Sequence, residues 1–357
     1  LFIMKAFGNV WTLSVTEICL KKCGREGLHG FKKNARVGAV MRVLILGGFG
    51  YLGGRLASFL YQHGHDVVLG SRVKRPTPAK IPDVDVFRTD WDNPKTLEKA
   101  FKHVDIVVYA SGANAQDCVD NPGKALSVNT GAVKAVLAAG LTCGVKKIIY
   151  LSTAHVYASP LNGIITENSI VRNEHPYAQA HAGGEEVLRR FKNDQLSFVI
   201  LRLSNAVGPP SSICANCWGL FVNDICRQII KEKKITIRNN AGVQRDFIGV
   251  SEVCRAIDFL ITKDLSSFPD PVFNLGSGTS QSLLEIAKLV QERALTSLNC
   301  YPVIEEMSPF HPCDKFYFKT DKLQKAGFHI KANIKDELDD LLSLCYENFS
   351  NFATQGS

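Results

Sequence analysis

Two kinds of hydrophobic pattern alternate along the chain from residue 41 onward. Short apolar runs at Arg42–Leu46, Asp66–Leu69, Val84–Phe87, Asp105–Tyr109, Lys147–Leu151 and Phe198–Leu203 predict six strands. Between them, apolar residues recur at helical spacing. Tyr51–His63 carries Leu52, Leu56, Phe59 and Leu60 on one face. A short helix is expected over Asn93–Phe101. Asn121–Gly144 places Ala125, Val128, Val133, Val136 and Leu137 together and stops at a glycine. Pro176–Phe191 opens on a proline, which suits a first helical turn. Apolar strands separated by helices form parallel sheets covered on both faces. The fold class is therefore α/β, a doubly wound parallel sheet.

The alternation stops after residue 204. Gly208-Pro209-Pro210-Ser211-Ser212 is a turn-rich boundary. Residues 208–244 and 277–350 are expected to build a smaller C-terminal lobe, with helices near Ser282–Arg293 and Lys335–Tyr346. Arg245–Val250 and Val272–Leu275 read as returns to the sheet, so the main domain is residues 41–207 plus segments near 245–262 and 272–276. Open sheets of this kind bind ligands beyond the carboxyl ends of their strands. The expected site is the cleft between sheet and lobe.

Composition narrows this picture. The chain has 357 residues, 45% of them hydrophobic and 21% charged, as in an ordinary globular protein. The net charge is +8, but residues 1–40 carry +5 of it, from seven Lys and Arg against Glu17 and Glu26. The rest is only mildly basic, so no nucleic-acid partner is expected. Residues 1–40 read as a basic extension outside the fold. No run of 18 apolar residues occurs, so no membrane span is expected. The eleven cysteines form no framework and read as thiols of a reducing, cytoplasmic setting. Cys214 and Cys217 lack the further ligands a zinc site needs, so no metal is expected.

The first strand runs straight into chemistry. Gly47, Gly50 and Gly53 make a G-x-x-G-x-x-G loop between a predicted strand and a predicted helix. Such glycines permit a sharp turn, let the backbone approach a pyrophosphate and let helix pack on strand, while free N–H groups at the helix start face the phosphates. Gly47, Phe49, Gly50, Tyr51, Leu52 and Gly53 are the candidate dinucleotide contacts. The second strand ends at Ser71-Arg72, followed by Lys74 and Arg75, where an NAD site usually has an acid for the ribose hydroxyl. A hydroxyl and cations suit a 2′-phosphate, so NADP(H) is favoured over NAD(H). Asp90 and Trp91, after the third strand, are placed at the adenine edge.

Six further blocks, in chain order, give the chain its family likeness. They are Val107-Val108-Tyr109-Ala110-Ser111-Gly112, Ser127-Val128-Asn129, Leu151-Ser152-Thr153-Ala154-His155-Val156-Tyr157, Leu201 to Pro209, Arg245 to Val250 and Phe273 to Gly278. Together they resemble the extended short-chain dehydrogenase/reductases with a Rossmann fold, specifically the NAD(P)-dependent epimerase/dehydratase family, over nearly all of residues 41–330. The resemblance implies an enzyme acting on a nucleotide-activated sugar, as a homodimer packed through the helices at 121–144 and 176–191. It assigns Ala110, Ser111 and Gly112 to the nicotinamide half of the cofactor. Tyr177 becomes the acid/base, Thr153 the hydroxyl that orients the substrate oxygen, and Asn205 and Arg245 the substrate contacts, Arg245 for the diphosphate.

One position departs from the pattern. The family usually has a lysine four residues after the tyrosine, holding the ribose and lowering the tyrosine pKa. Here that residue is His181, which is charged only when protonated. His181 then reads as a modified relay, as a sign of another main base, or as a mark of a weakly catalytic cofactor binder. The 4,6-dehydratases carry Asp-Glu after the Thr; Ala154 and His155 stand there, so that elimination is not expected. His155 could act as an acid/base there, but Val156 and Tyr157 around it favour a packed strand exit. C4 epimerisation and reduction of a 4-keto sugar both remain open. So do reduction of another carbonyl and a non-catalytic, NADP-binding regulator.

Overall fold

The computed structural model describes residues 40–112 and 115–350; most of the basic extension lies outside them. Seven strands form one parallel sheet: β1 (Arg42–Leu46), β2 (Asp66–Ser71), β3 (Asp85–Arg88), β4 (Ile106–Tyr109), β5 (Lys147–Thr153), β7 (Ser197–Leu203) and β11 (Val272–Leu275). Their spatial order is β11-β7-β5-β4-β1-β2-β3. The order reverses between β1 and β4, so the loops that follow these two strands open a crevice at the sheet's carboxyl edge.

Both faces are covered, which is why the strands are apolar throughout. Val43, Leu44 and Ile45 of β1 are all fully buried. On one face α1 (Tyr51–Gln62) and α7 (Val250–Thr262) pack Leu56, Leu60, Val253 and Ile257 against the sheet. On the other lie α2 (Pro94–Phe101), α4 (Pro122–Cys143) and α5 (Pro176–Arg190). The sequence predicts these elements within one or two residues, except α7, whose segment it read only as part of a return to the sheet. Helix α4 is long and apolar enough to cross a membrane by length and composition alone. Its Val133, Val136 and Leu137 are nonetheless spent on the sheet, and Gly144 ends it in the left-handed conformation at φ 72°.

The second hydrophobic centre belongs to the C-terminal part. Helices α6 (Phe221–Glu232), α8 (Leu283–Leu298) and α10 (Ile334–Phe349) bury Ile225, Ile229, Ile286, Val290, Leu338 and Leu341 together. The sequence reading is corrected at one strand. β10 (Gln244–Gly249) does not rejoin the main sheet but forms a small sheet between β8 (Asn205–Val207) and β12 (Ser280–Ser282). β11, by contrast, does return, pairing with β7 in parallel from Val272 to Leu275. The physical reason is that β8 peels off directly after β7 and offers β10 a closer free edge.

Candidate active site

The glycine loop has the geometry of a cradle. Gly47 has φ +82°, and a Cβ there would meet the Ala110 carbonyl oxygen at 2.8 Å and Ser111 Oγ at 2.9 Å. A Cβ on Gly53 would collide with the Gly47 carbonyl. The Gly50 amide donates to Gly47 O at 2.9 Å, closing the turn. Helix α1 then starts with no side-chain cap and no acid in its first turn. Its first N–H groups and the positive end of its dipole point outward, the arrangement an anion requires. A pyrophosphate therefore suits this cradle. Phe49 and Leu52 pack against the core beneath it. The Tyr51 hydroxyl donates to Gly208 O at 2.9 Å.

The turn after β2 carries two guanidinium groups, each set over an aromatic ring. Arg72 lies 5.8 Å from the centre of the Trp91 ring, and Arg75 lies 5.6 Å from that of Phe49. Ring stacking holds a cation in place without neutralising it. Ser71 Oγ accepts from the Val73 amide at 3.4 Å, and Asp90 pairs with Arg88 at 3.0 Å. Ser71, Arg72 and Trp91 are thus brought together at one edge of the crevice.

At the other end, helix α5 begins on a local cap: the Tyr177 amide donates to His175 Nδ1 at 3.2 Å, and Pro176 occupies the first turn. Tyr177 and His181 then stand one turn apart on one face, with ring centres 4.7 Å apart and edge-on. Thr153, at the end of β5, is hydrogen-bonded to the Tyr177 hydroxyl. Burial pushes that phenol up, Thr153 opposes this, and the Cys118 thiol adds to it; none of these is a cation. His181 is buried, and its pKa is pushed down to about 4 by burial and by His155. The imidazole in the lysine position is therefore neutral. Its Cε1–Nε2 edge lies 3.9 Å from where a Cβ of Gly112 would sit, so Gly112 and His181 face each other.

Beneath this pair is a rigid buried network. Ser152 donates to Glu185 at 2.6 Å, and Arg202 grips the same carboxylate through Nε and Nη2 at 2.5–3.2 Å. The Arg202 guanidinium also lies 4.7 Å from the centre of the Tyr157 ring. On the opposite wall α4 widens into a π turn over Ser127–Gly131. It carries Asn129, fully buried, with neither side-chain polar atom partnered within the protein. A buried amide aimed at the crevice wall is a ready polar contact for a ligand.

Asn205 and Arg245 meet on the lobe side. Asn205 Nδ2 donates to Asp246 O at 2.8 Å. Asp246 is taken up by the Ser277 amide and hydroxyl and the Gly278 amide at 2.8–2.9 Å. Burial lowers the Arg245 pKa, and no carboxylate among the described residues acts on it. Of the two readings of His155, its surroundings favour the one that faces the cleft. Its ring lies 6.4 Å from Tyr177, hydrogen-bonds Asn205, and is driven down to about 4 by burial, Arg245 and His175. It lines the space between Tyr177 and Arg245. The signal that could have found it was its position two residues after Thr153, since a 3-10 turn over Ala154–Val156 swings it back toward the cleft. Cys217 is buried with its thiol pushed up to about 12, the behaviour of a core residue.

Comparison with known proteins bears on this arrangement. The family model described as "NAD dependent epimerase/dehydratase family" matches residues 43–276, more than half of the chain. UDP-glucose 4-epimerase of Mycoplasma genitalium is 27% identical over 343 residues, covering 89% of this chain and 99% of that protein. UDP-glucose 4-epimerase of Thermotoga maritima, solved with UDP-glucose, superposes with a TM-score of 0.71 at 22% identity, over 86% of this chain and 98% of that one. RMD of Pseudomonas aeruginosa, complexed with NADPH, gives 0.69 at 20% identity, over 86% and 99%. With its seven-stranded parallel sheet, its glycine cradle and a family match spanning both, the chain belongs to the NAD-dependent epimerase/dehydratase family of enzymes.

Proposed function

We propose that the protein is an NADP(H)-using oxidoreductase that reduces a keto group on a nucleotide-activated sugar. One observation carries the reading: Tyr177 is hydrogen-bonded to Thr153 and flanked by imidazole, with no cation beside it among the described residues. A phenol with a raised pKa stays protonated near neutrality and serves as an acid. Reduction of a carbonyl needs an acid at the oxygen; oxidation of an alcohol needs a base there. When bound, a nicotinamide dinucleotide supplies the hydride. Tyr177 gives its proton to the carbonyl oxygen, and Thr153 orients that oxygen. The proton is made good from solvent after product leaves.

The remaining residues sort by ligand. Gly47, Gly50, Gly53 and the first turn of α1 receive the pyrophosphate, and Ala110, Ser111, Gly112, His181 and Asn129 border the nicotinamide half. Ser71 and Arg72 receive the 2′-phosphate, with Asp90 and Trp91 along the adenine side. This favours NADP(H), as in the neighbour complexed with NADPH. Arg245 supplies an unneutralised charge for the diphosphate, with Asn205 and His155 facing the sugar. The nine described cysteines are free thiols, which suits a reducing, cytoplasmic setting. Exposed Val119 and Leu126 near the start of α4 support a homodimer through α4 and α5.

The experiment mixes the purified protein with NADPH and a panel of nucleotide-4-keto-hexoses. Loss of NADPH absorbance with a keto sugar is the expected result, and none across pH 5.5–9 overturns the reading. A second reading, C4 epimerisation, is favoured by the full-length match to the Mycoplasma genitalium epimerase. Interconversion of UDP-glucose and UDP-galactose without added reductant would select it instead.

A further inference from the structure

Tyr150 is the one buried hydroxyl of the active-site floor for which the chemistry above finds no use. It lies on β5, 1% exposed. Its hydroxyl reaches across to α5, 3.4 Å from His181 Nδ1 and 3.5 Å from the His181 carbonyl oxygen. The space for it is made by Gly184, where a Cβ would collide with that hydroxyl. A buried hydroxyl must donate to something. The carbonyl is the longer contact, and in mid-helix it already accepts an N–H from the next turn. Nδ1 is the acceptor that remains.

We propose that Tyr150 is a positioning residue that sets the tautomer of His181. By donating to Nδ1 it leaves the ring proton on Nε2, the nitrogen that faces Gly112. The ring then presents one N–H donor to the crevice where the family pattern has an ammonium. A donor at this point can hold a ribose oxygen, but it brings no charge to Tyr177. Tyr109 supports the arrangement from behind. Its ring packs 5.4 Å from that of Tyr150, and its own hydroxyl is spent on Val128 O at 2.8 Å. The cost is that β5 and α5 must approach closely, which Gly184 permits. The proposal rests on the reading of the crevice as a dinucleotide site only for its consequence, not for the tautomer.

Nitrogen-15 histidine spectra of the cofactor-free protein test it directly. The native protein should show His181 with its proton on Nε2, and Tyr150→Phe should shift it to a mixture or to Nδ1. The same variant should bind NADPH about 5- to 10-fold more weakly, the effect of one hydrogen bond, with kcat/KM falling alike and its pH dependence losing the contribution of His181. A native His181 with its proton on Nδ1 overturns the proposal, even if the variant does not fold. So does a Tyr150→Phe protein with unchanged tautomer and NADPH affinity. Failure of the native protein to bind NADPH at all would instead overturn the cofactor reading, and leaves the tautomer result standing.

Discussion

At the scale of single residues, the chemistry turns on which groups near Tyr177 carry charge. Replacing Tyr177 by Phe should cut turnover by about 10²- to 10⁴-fold while leaving NADPH binding intact, read by steady-state kinetics beside a fluorescence titration. His181→Lys should restore a cation, lower the tyrosine pKa and raise the rate of alcohol oxidation above neutral pH; an unchanged pH profile would remove the relay from the account. His181 and His155 also affect stability. Each is held near 4 in the fold against 6.5 as a free side chain, so the unfolded chain binds more protons between these values. Stability is therefore complete above about pH 6.5 and falls as the pH drops toward 4. For His181 the shift corresponds to about 3 kcal/mol. Urea melts at pH 7 and pH 4.5 should show the loss, and His181→Asn should lessen it. Tyr177, Thr153 and Arg245 were named through the family resemblance of the blocks that carry them, not through spacing or hydrophobic period. His155 was legible only as one of two readings, because the backbone turn that aims its ring leaves no periodic trace.

Elements were read from hydrophobic period, and that worked for most elements that meet the sheet, though not for α7. Helices α1, α4 and α5 owe their existence to an apolar face, so the pattern marks their ends. β10 was misassigned for the same reason: its short buried run looks alike in any sheet, and only the free edge of β8 decides its partner. The π turn in α4 is a matter of backbone register and has no hydrophobic signature. Helix α1 packs closely on its own loop. Gly53→Ala would drive a methyl into the Gly47 carbonyl, and should cost about 1–3 kcal/mol and abolish NADPH binding, by thermal melts with and without cofactor. In the turn after β2, Arg72→Ala should weaken NADPH by about tenfold, the worth of one charge-assisted contact, and NADH hardly at all. Equal losses for the two would overturn the preference for the 2′-phosphate.

The whole molecule is joined at a buried carboxylate. Glu337 on α10 accepts from the Ser251 amide at 2.6 Å and pairs with Arg55 of α1 at 3.2 Å. Gly208 and Gly249 lack side chains where it passes. One group thus ties the last helix to α1 and to the start of α7. Glu337→Ala should cost about 3–5 kcal/mol, because it leaves a half-buried cation unpaired, and calorimetry should record a clear drop in Tm. No hydrophobic pattern announces such a tie, since a buried acid in an amphipathic helix reads as a surface residue until its partners are known.

Tyr51 has a kinetic consequence. Its backbone opens the helix that receives the phosphates, and its hydroxyl holds the Gly208 carbonyl at the threshold of the lobe. A dinucleotide settled on the cradle would therefore steady the doorway through which the proposed sugar nucleotide would pass. The two reactants should enter in a compulsory sequence, dinucleotide first. Oxidised cofactor should then inhibit competitively against its reduced form and in a mixed manner against the sugar. Tyr51→Phe, which cuts the tether without disturbing the helix, should turn that sequence into a random one.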